Sequence, residues 1–215
     1  MEIGAKAITP ARTAFRHLRT GLRGRRVLVR LWADSDAPEL FSAIDRSREH
    51  LKPWVGWVDL HQEESDTKAY IRRALLGFRR RQSIPLGIFD PTDKRTVLGA
   101  TGFHDIDWTV PSVEIGYWVV AEAEGRGYIT EAVALVTDFA LREFRTNRIA
   151  LFCDPRNLRS RRVAERLGYR PEGQLRNTGR DPQGALRDSL AFSLLPGEWD
   201  PNWSAAHQPG LRAAR

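Results

Sequence analysis

The chain has 215 residues, 41% hydrophobic and 9% aromatic, enough for one domain that buries a core without a staple. Its single cysteine, Cys153, excludes an internal disulfide framework and a cysteine-rich zinc site. No apolar run approaches the roughly 20 residues that span a bilayer, and the N-terminus has no secretory apolar core, so the expected setting is cytoplasmic, with no membrane contact. The net charge of +7 is concentrated in residues 1–30, which hold eight bases against one acid, Glu2; the remainder is formally neutral. Residues 1–25 are therefore expected to form a flexible basic arm. Such an arm attracts RNA, ribosome or anionic lipid without specificity, and its Arg-rich composition also matches a mitochondrial presequence.

The spacing of apolar residues predicts a strand over 27–31 and a helix from 34 to about 48. A broken aromatic segment follows over 51–60, with Pro53, Trp54, Gly56 and Trp57. From Ser65 a long helix carries Tyr70, Ile71, Ala74, Leu75 and Phe78 on one face and ends in three arginines, where cations suit the helix dipole. Strands at 84–89 and 96–103 flank an Asp90-Pro91-Thr92-Asp93 turn, and a strand at 113–120 runs into the break Glu124-Gly125-Arg126-Gly127. The clearest helix covers 130–144, with Ala132, Leu135, Val136, Phe139 and Ala140 at helical spacing. A short strand at 148–152 precedes a helix at 157–167, which Gly168 closes as a C-terminal cap. Strands at 169–176 and 186–194, joined across 179–184, complete a mixed α/β sandwich. Residues 26–199 are expected to form one domain and 200–215 a tail.

The segment 114–130 is the most informative, because a strand enters a Gly-rich turn that opens an amphipathic helix. Such a turn aims several backbone N–H groups at one point, backed by the positive end of the helix dipole. It lacks the Lys-Ser/Thr ending of a P-loop and the third Gly of a dinucleotide fingerprint, so it is an anion cradle of another kind. Glu124-Gly125-Arg126-Gly127-Tyr128-Ile129 resembles the Gln/Arg-x-x-Gly-x-Gly/Ala pyrophosphate loop of the GNAT acyltransferases. The strand Glu114-Ile115-Gly116-Tyr117-Trp118 and the later Asn157-Leu158-Arg159-Ser160 with Leu167-Gly168-Tyr169 resemble the RimJ/RimL-like branch of that family. The resemblance covers roughly residues 26–195. Glu124, in place of Gln or Arg, and Ile129, in place of a small residue, depart from the pattern.

The resemblance implies a GNAT fold: a mixed central sheet of about seven strands, helices on both faces, and a splayed parallel pair formed by 113–120 and 148–152. It implies acetyl-CoA as co-substrate and no metal. The pantetheine arm would bond to backbone around Val119, the diphosphate would sit on Gly125, Arg126, Gly127, Ile129 and Thr130, and Asn157 would cap its helix and contact CoA. A primary amine then attacks the thioester directly, without an acyl-enzyme. Glu114 shares a strand face with Gly116 and Trp118 and is the candidate base, the alternative being a structural ion pair. Ser160 lies with Val163, Ala164 and Leu167 on an apolar stripe and is the candidate proton donor to the thiolate, the alternative being a bond to its own backbone. Trp54 and Trp57 form either an acceptor wall or core packing. His104 stands at the hairpin end beside the acceptor cleft, and Cys153 is expected to be a packed, inert thiol. The acceptor is a protein N-terminal α-amine or a small amine, on a monomer or homodimer, with ribosome or RNA contact through the arm. The rival reading is a non-catalytic CoA-binding module docked on RNA or ribosome by the same arm.

Overall fold

In chain order the helices and strands are α1 (Arg12–Thr20), β1 (Leu22–Arg23), β2 (Leu28–Leu31), α2 (Ala37–Arg46), α3 (Arg48–Leu51), α4 (Glu64–Arg80), β3 (Ile84–Phe89), β4 (Val97–Asp107), β5 (Ser112–Val119), α5 (Tyr128–Phe139), β6 (Arg148–Cys153), α6 (Leu158–Arg166), β7 (Arg170–Arg180) and β8 (Leu186–Leu194). The computed structural model describes residues 12–181 and 183–203. All eight strands form one sheet in the order β1-β2-β3-β4-β5-β6-β8-β7. Neighbours pair antiparallel except β5 and β6, which run parallel.

Side-chain alternation sets the two faces. On β5, Val113 and Ile115 are buried with Phe103 of β4, and Phe103 packs on Phe139 of α5 at 6.3 Å between ring centroids. Glu114, Gly116 and Trp118 take the other face, where Trp118 meets Trp57 at 5.6 Å. Helices therefore lie on both faces, α5 and α6 on one and the α2–α4 region on the other. Phe144, at the end of a π-helical turn that continues α5, gathers Phe103, Trp108 and Phe139 within 5.4 Å, an aromatic cluster that fixes α5 on the sheet.

Several boundaries differ from the sequence expectation. The 34–48 helix divides into a 3₁₀ turn at Asp34–Asp36, then α2 and α3, and the 51–60 segment includes a second 3₁₀ turn at Gly56–Leu60. The β7–β8 hairpin is longer than expected, because register shifts at Pro171/Gly173 and Leu175/Gly179 absorb its irregularities without ending the ladder.

The larger correction concerns the arm. Within the expected arm 1–25, residues 12–23 form α1 and β1, and β1 adds an eighth strand beside β2. The helix is amphipathic: Ala14 and Leu18 are fully buried, Phe15 packs on Phe144 and Phe78, and Arg16 and Arg19 face solvent. Charge dominated the composition of this stretch while a narrow apolar stripe decided its structure. Residues 1–11 lie outside the described residues. At the other end, the expected tail contributes Trp203, which is buried and stacks on Trp199 at 6.4 Å; residues 204–215 lie outside the described residues.

Leu18→Ala empties a fully buried position and is expected to lower the unfolding free energy by about 2–5 kcal/mol in urea titration. Arg16→Ala, on the exposed side of the same helix, should stay within about 0.5 kcal/mol. Equally small effects would detach α1 from the core.

Candidate active site

The parallel pair makes only three rungs: Ser112 with Arg148, Val113 with Ile149, and Glu114 with Ala150. Beyond them β5 stays paired to β4 as far as Val119 opposite Gly99, and β6 stays paired to β8 as far as Cys153 opposite Leu190. Each strand keeps its outer partner and loses its inner one, so a gap opens between them. A cleft of about 490 Å³ occupies this region. Its walls include Tyr117 and Val119 of β5, the Gly125–Gly127 turn, the start of α5 at Ile129 and Thr130, the start of α6 at Asn157 and Ser160, and Trp54.

The turn is built for close approach of an anion. Gly125 and Gly127 have φ of 74° and 79°, the left-handed region that glycine enters without strain. Open space surrounds the Cβ position of Gly125, whereas a Cβ on Gly127 would lie 3.0 Å from the guanidinium of Arg26. The first N–H groups of α5 have no partner inside the helix and face the same turn. Ile129 buries its side chain in the core, so its departure from the family pattern leaves the backbone free to donate.

Arg26 holds this turn from behind. Its backbone N–H and Nε donate to the two carboxylate oxygens of Glu131 at 2.9 and 2.8 Å, and its Nη1 donates to the carbonyl of Arg126 at 2.7 Å. Glu131 is fully buried in the first turn of α5, so this pair satisfies a carboxylate with no access to water. Carbonyls drawn toward Arg26 leave the opposite edge of the turn to N–H groups. The Arg126 side chain itself is exposed and does not line the cleft. Glu124, the other departure, does line it, and its carboxylate is held by Arg159 and by His50, with Nδ1 3.3 Å away.

On α6, the Asn157 side chain accepts the N–H of Ser160 at 3.0 Å and caps the helix. The Ser160 hydroxyl lies 2.8 Å from the phenol oxygen of Tyr117, which also donates to the Ser160 carbonyl at 3.1 Å. Burial raises the Tyr117 pKa above the ordinary phenol value, so the group keeps its proton. Cys153 is buried beside Ser160, and desolvation raises its thiol pKa, which makes a thiolate unfavourable there.

Glu114 stands apart from that group, half-buried on the other sheet face at the last rung before the strands separate. Burial, the charge of Asp105 and a hydrogen bond with Asp105, in that order, push its carboxyl up to about 7. His104 faces it directly across β4, with its ring over Gly116, and desolvation lowers the imidazole pKa against an opposing effect of Asp105. Trp57 lies on this face between Trp118 and His61, outside the cleft that Trp54 lines. The structure thus brings Val119, Gly125, Gly127, Ile129, Thr130, Asn157, Ser160 and Trp54 to the lining of one cleft, and leaves Glu114, His104 and Trp57 outside that lining. Sequence reasoning missed Tyr117, Arg26 and Glu131; a lone acid opening an apolar helix was the available sign of the last. Among the described residues no three His, Cys, Asp or Glu side chains group to hold a metal, and no helix is long and apolar enough to cross a membrane.

Comparison with known proteins is consistent with this geometry. The family model described as an acetyltransferase (GNAT) domain matches residues 26–170. The chain is 30% identical to YdaF of Bacillus subtilis (strain 168) over 180 residues, 81% of this chain and 93% of that one. It is 27% identical to the [ribosomal protein uS5]-alanine N-acetyltransferase of Escherichia coli (strain K12), over 82% of this chain and 91% of that one. The structure of the microcin C7 self-immunity acetyltransferase MccE in complex with acetyl-CoA and AMP aligns with a TM-score of 0.76 at 22% identity, covering 82% of this chain and 99% of that one.

Arg26→Ala removes the support behind the turn. Calorimetry is expected to show coenzyme A binding weakened roughly ten-fold, about 1.4 kcal/mol. Stability should fall by about 1–3 kcal/mol as the Glu131 carboxylate loses its side-chain donor. Unchanged affinity would mean that the turn holds its shape alone.

Proposed function

This chain belongs to the GNAT acetyltransferase family, in its RimJ/RimL-like branch, and we propose that it transfers the acetyl group of acetyl-CoA to a primary amine by direct attack. The observation that carries this reading is the placement of two proton-handling groups on either side of the β5–β6 gap: Glu114 on one face, the Tyr117–Ser160 pair on the other. The residues present fit the donor. Gly125 opens onto free space, the first turn of α5 presents N–H groups to a diphosphate, and the cleft leads from that turn to Ser160.

Acetyl-CoA supplies the acetyl thioester. Glu114, as carboxylate, accepts one proton from the acceptor ammonium, directly or through water, and leaves an amine lone pair free to attack. After attack the second amine proton departs to solvent, and the Ser160 hydroxyl, backed by Tyr117, gives a proton to the sulfur that leaves and regains one from solvent. With its pKa at about 7, Glu114 is a base above neutrality and protonated below it, so kcat/KM is expected to rise through pH 7 and level off.

We favour a protein N-terminal α-amine as acceptor. The uS5-alanine N-acetyltransferase activity of the Escherichia coli relative supports this, and so do Phe152 of β6 and Leu175 of β7, 38% and 44% exposed on the Glu114 face, an apolar surface for a peptide. The rival reading, a non-catalytic CoA-binding module docked on RNA or ribosome by its basic arm, predicts instead no turnover with any amine.

A panel of N-terminal peptides of ribosomal proteins, polyamines and amino acid derivatives, followed by thiol release and product mass, tests the proposal. An acetylated α-amine is expected; no thiol release above buffer with any amine would contradict it. Glu114→Gln should lower kcat/KM by a factor on the order of 10²–10⁴, recovering in part as pH rises. Ser160→Ala should cost less, and its effect should vanish with an acyl donor whose thiol has a lower pKa.

A further inference from the structure

We propose that Asp105 is a positioning residue for Glu114: a bulge in β4 turns its carboxylate onto the Glu114 carboxyl, which holds its proton against that neighbour at the mouth of the gap. This rests on the reading of Glu114 as the base.

The register of β4 against β5 carries the argument. His104 faces Glu114, and the next pair is Asp107 with Ser112. Three steps along β4 therefore match two along β5, which places one extra residue at 105–106. In a regular strand Asp105 would point to the face opposite His104 and Glu114. Instead its backbone takes φ of 43°, a left-handed conformation that few residues other than glycine adopt and that Asp and Asn adopt most readily. The turn brings its carboxyl into hydrogen-bonding contact with Glu114.

Two carboxylates in contact repel when both are ionised, so the charge of Asp105 favours the protonated form of Glu114. The other charged groups near Glu114 do not relieve this. His104, also on β4, is held toward its neutral form by desolvation. Arg148 of β6, two residues before the Ala150 that faces Glu114, donates to Glu172 of β7 at 2.6 Å, and Ser193 of β8 donates to the same carboxylate at 2.8 Å. Asp105 is exposed, so water reaches the mouth of the gap there. Glu114 as carboxylate takes the ammonium proton and returns it to that water after turnover. The pair makes Glu114 a stronger base than a solvated carboxylate while keeping a path for resetting it.

The test is a ¹³C NMR titration of the Glu114 carboxyl carbon in the wild type and in Asp105→Asn, read together with the pH profile of kcat/KM. Asn keeps the side-chain shape and the left-handed backbone. Asp105→Gly, which accepts φ of 43° with no carboxyl, serves as the second variant. The Glu114 midpoint is expected to move down from about 7 toward the ordinary carboxylate range in both, and the acid limb of kcat/KM should follow it. As the base weakens, kcat/KM near pH 9 should fall about three-fold, while below about pH 6 the variants should exceed the wild type. A midpoint that stays in place in both variants overturns the proposal. A midpoint that moves while Glu114→Gln retains the wild-type pH profile upholds the action of Asp105 on Glu114 and overturns instead the reading of Glu114 as the base.

Discussion

The separation of β5 from β6 after the Glu114–Ala150 rung is the constraint on which the site depends. Both strands keep their antiparallel partners on the outer side, so the sheet stays whole while its centre opens. Backbone groups on the inner edge of β5 are left for a ligand or water, because a polar backbone group is rarely buried without a partner. The same opening joins the two faces of the sheet. Glu114 stands at its start on one face, and the Tyr117–Ser160 contact spans it on the other. Had the ladder continued to Val119, the carboxyl and the hydroxyls would be separated by a closed sheet.

The Gly-rich turn depends on a second arrangement, the buried carboxylate of Glu131 and the arginine that meets it. An unpaired charge in this position would be costly; the positive end of α5 and two donors from Arg26 offset that cost. The arrangement serves the site because the same guanidinium takes the carbonyl of Arg126. It also explains why the N-terminal segment is structural. Arg26 lies between β1 and β2, and α1 anchors that region through Ala14, Leu18 and Phe15.

Periodicity made much of this fold legible. The alternation along β5 separated Glu114, Gly116 and Trp118 from Val113, Ile115 and Tyr117, and the structure keeps that division. The i, i+3, i+4, i+7 stripe of α6 directed Ser160 inward, and the Gly-rich turn lies where a strand meets a helix. What stayed hidden depended on contacts distant in sequence or on local breaks in period. Arg26 and Glu131 are 105 residues apart, and Arg26 was one base among many in a basic stretch. Asp105 owes its direction to a bulge, which shifts the alternation by one residue and leaves no sign in an apolar pattern. The basic composition of residues 12–23 concealed a helix whose apolar stripe is only a few residues wide.

The central claim is that the acetyl group passes from thioester to amine in one step across the gap, with no side chain carrying it. Cys153, the one thiol of the chain, is buried with its pKa raised, and the Ser160 hydroxyl is engaged by Tyr117; neither is arranged as a nucleophile. Initial-velocity kinetics with both substrates varied tests this most directly. The account predicts reciprocal plots that intersect, and no acetyl adduct on the protein by mass spectrometry after incubation with acetyl-CoA alone. Parallel lines together with an acetylated Cys153 or Ser160 would contradict it.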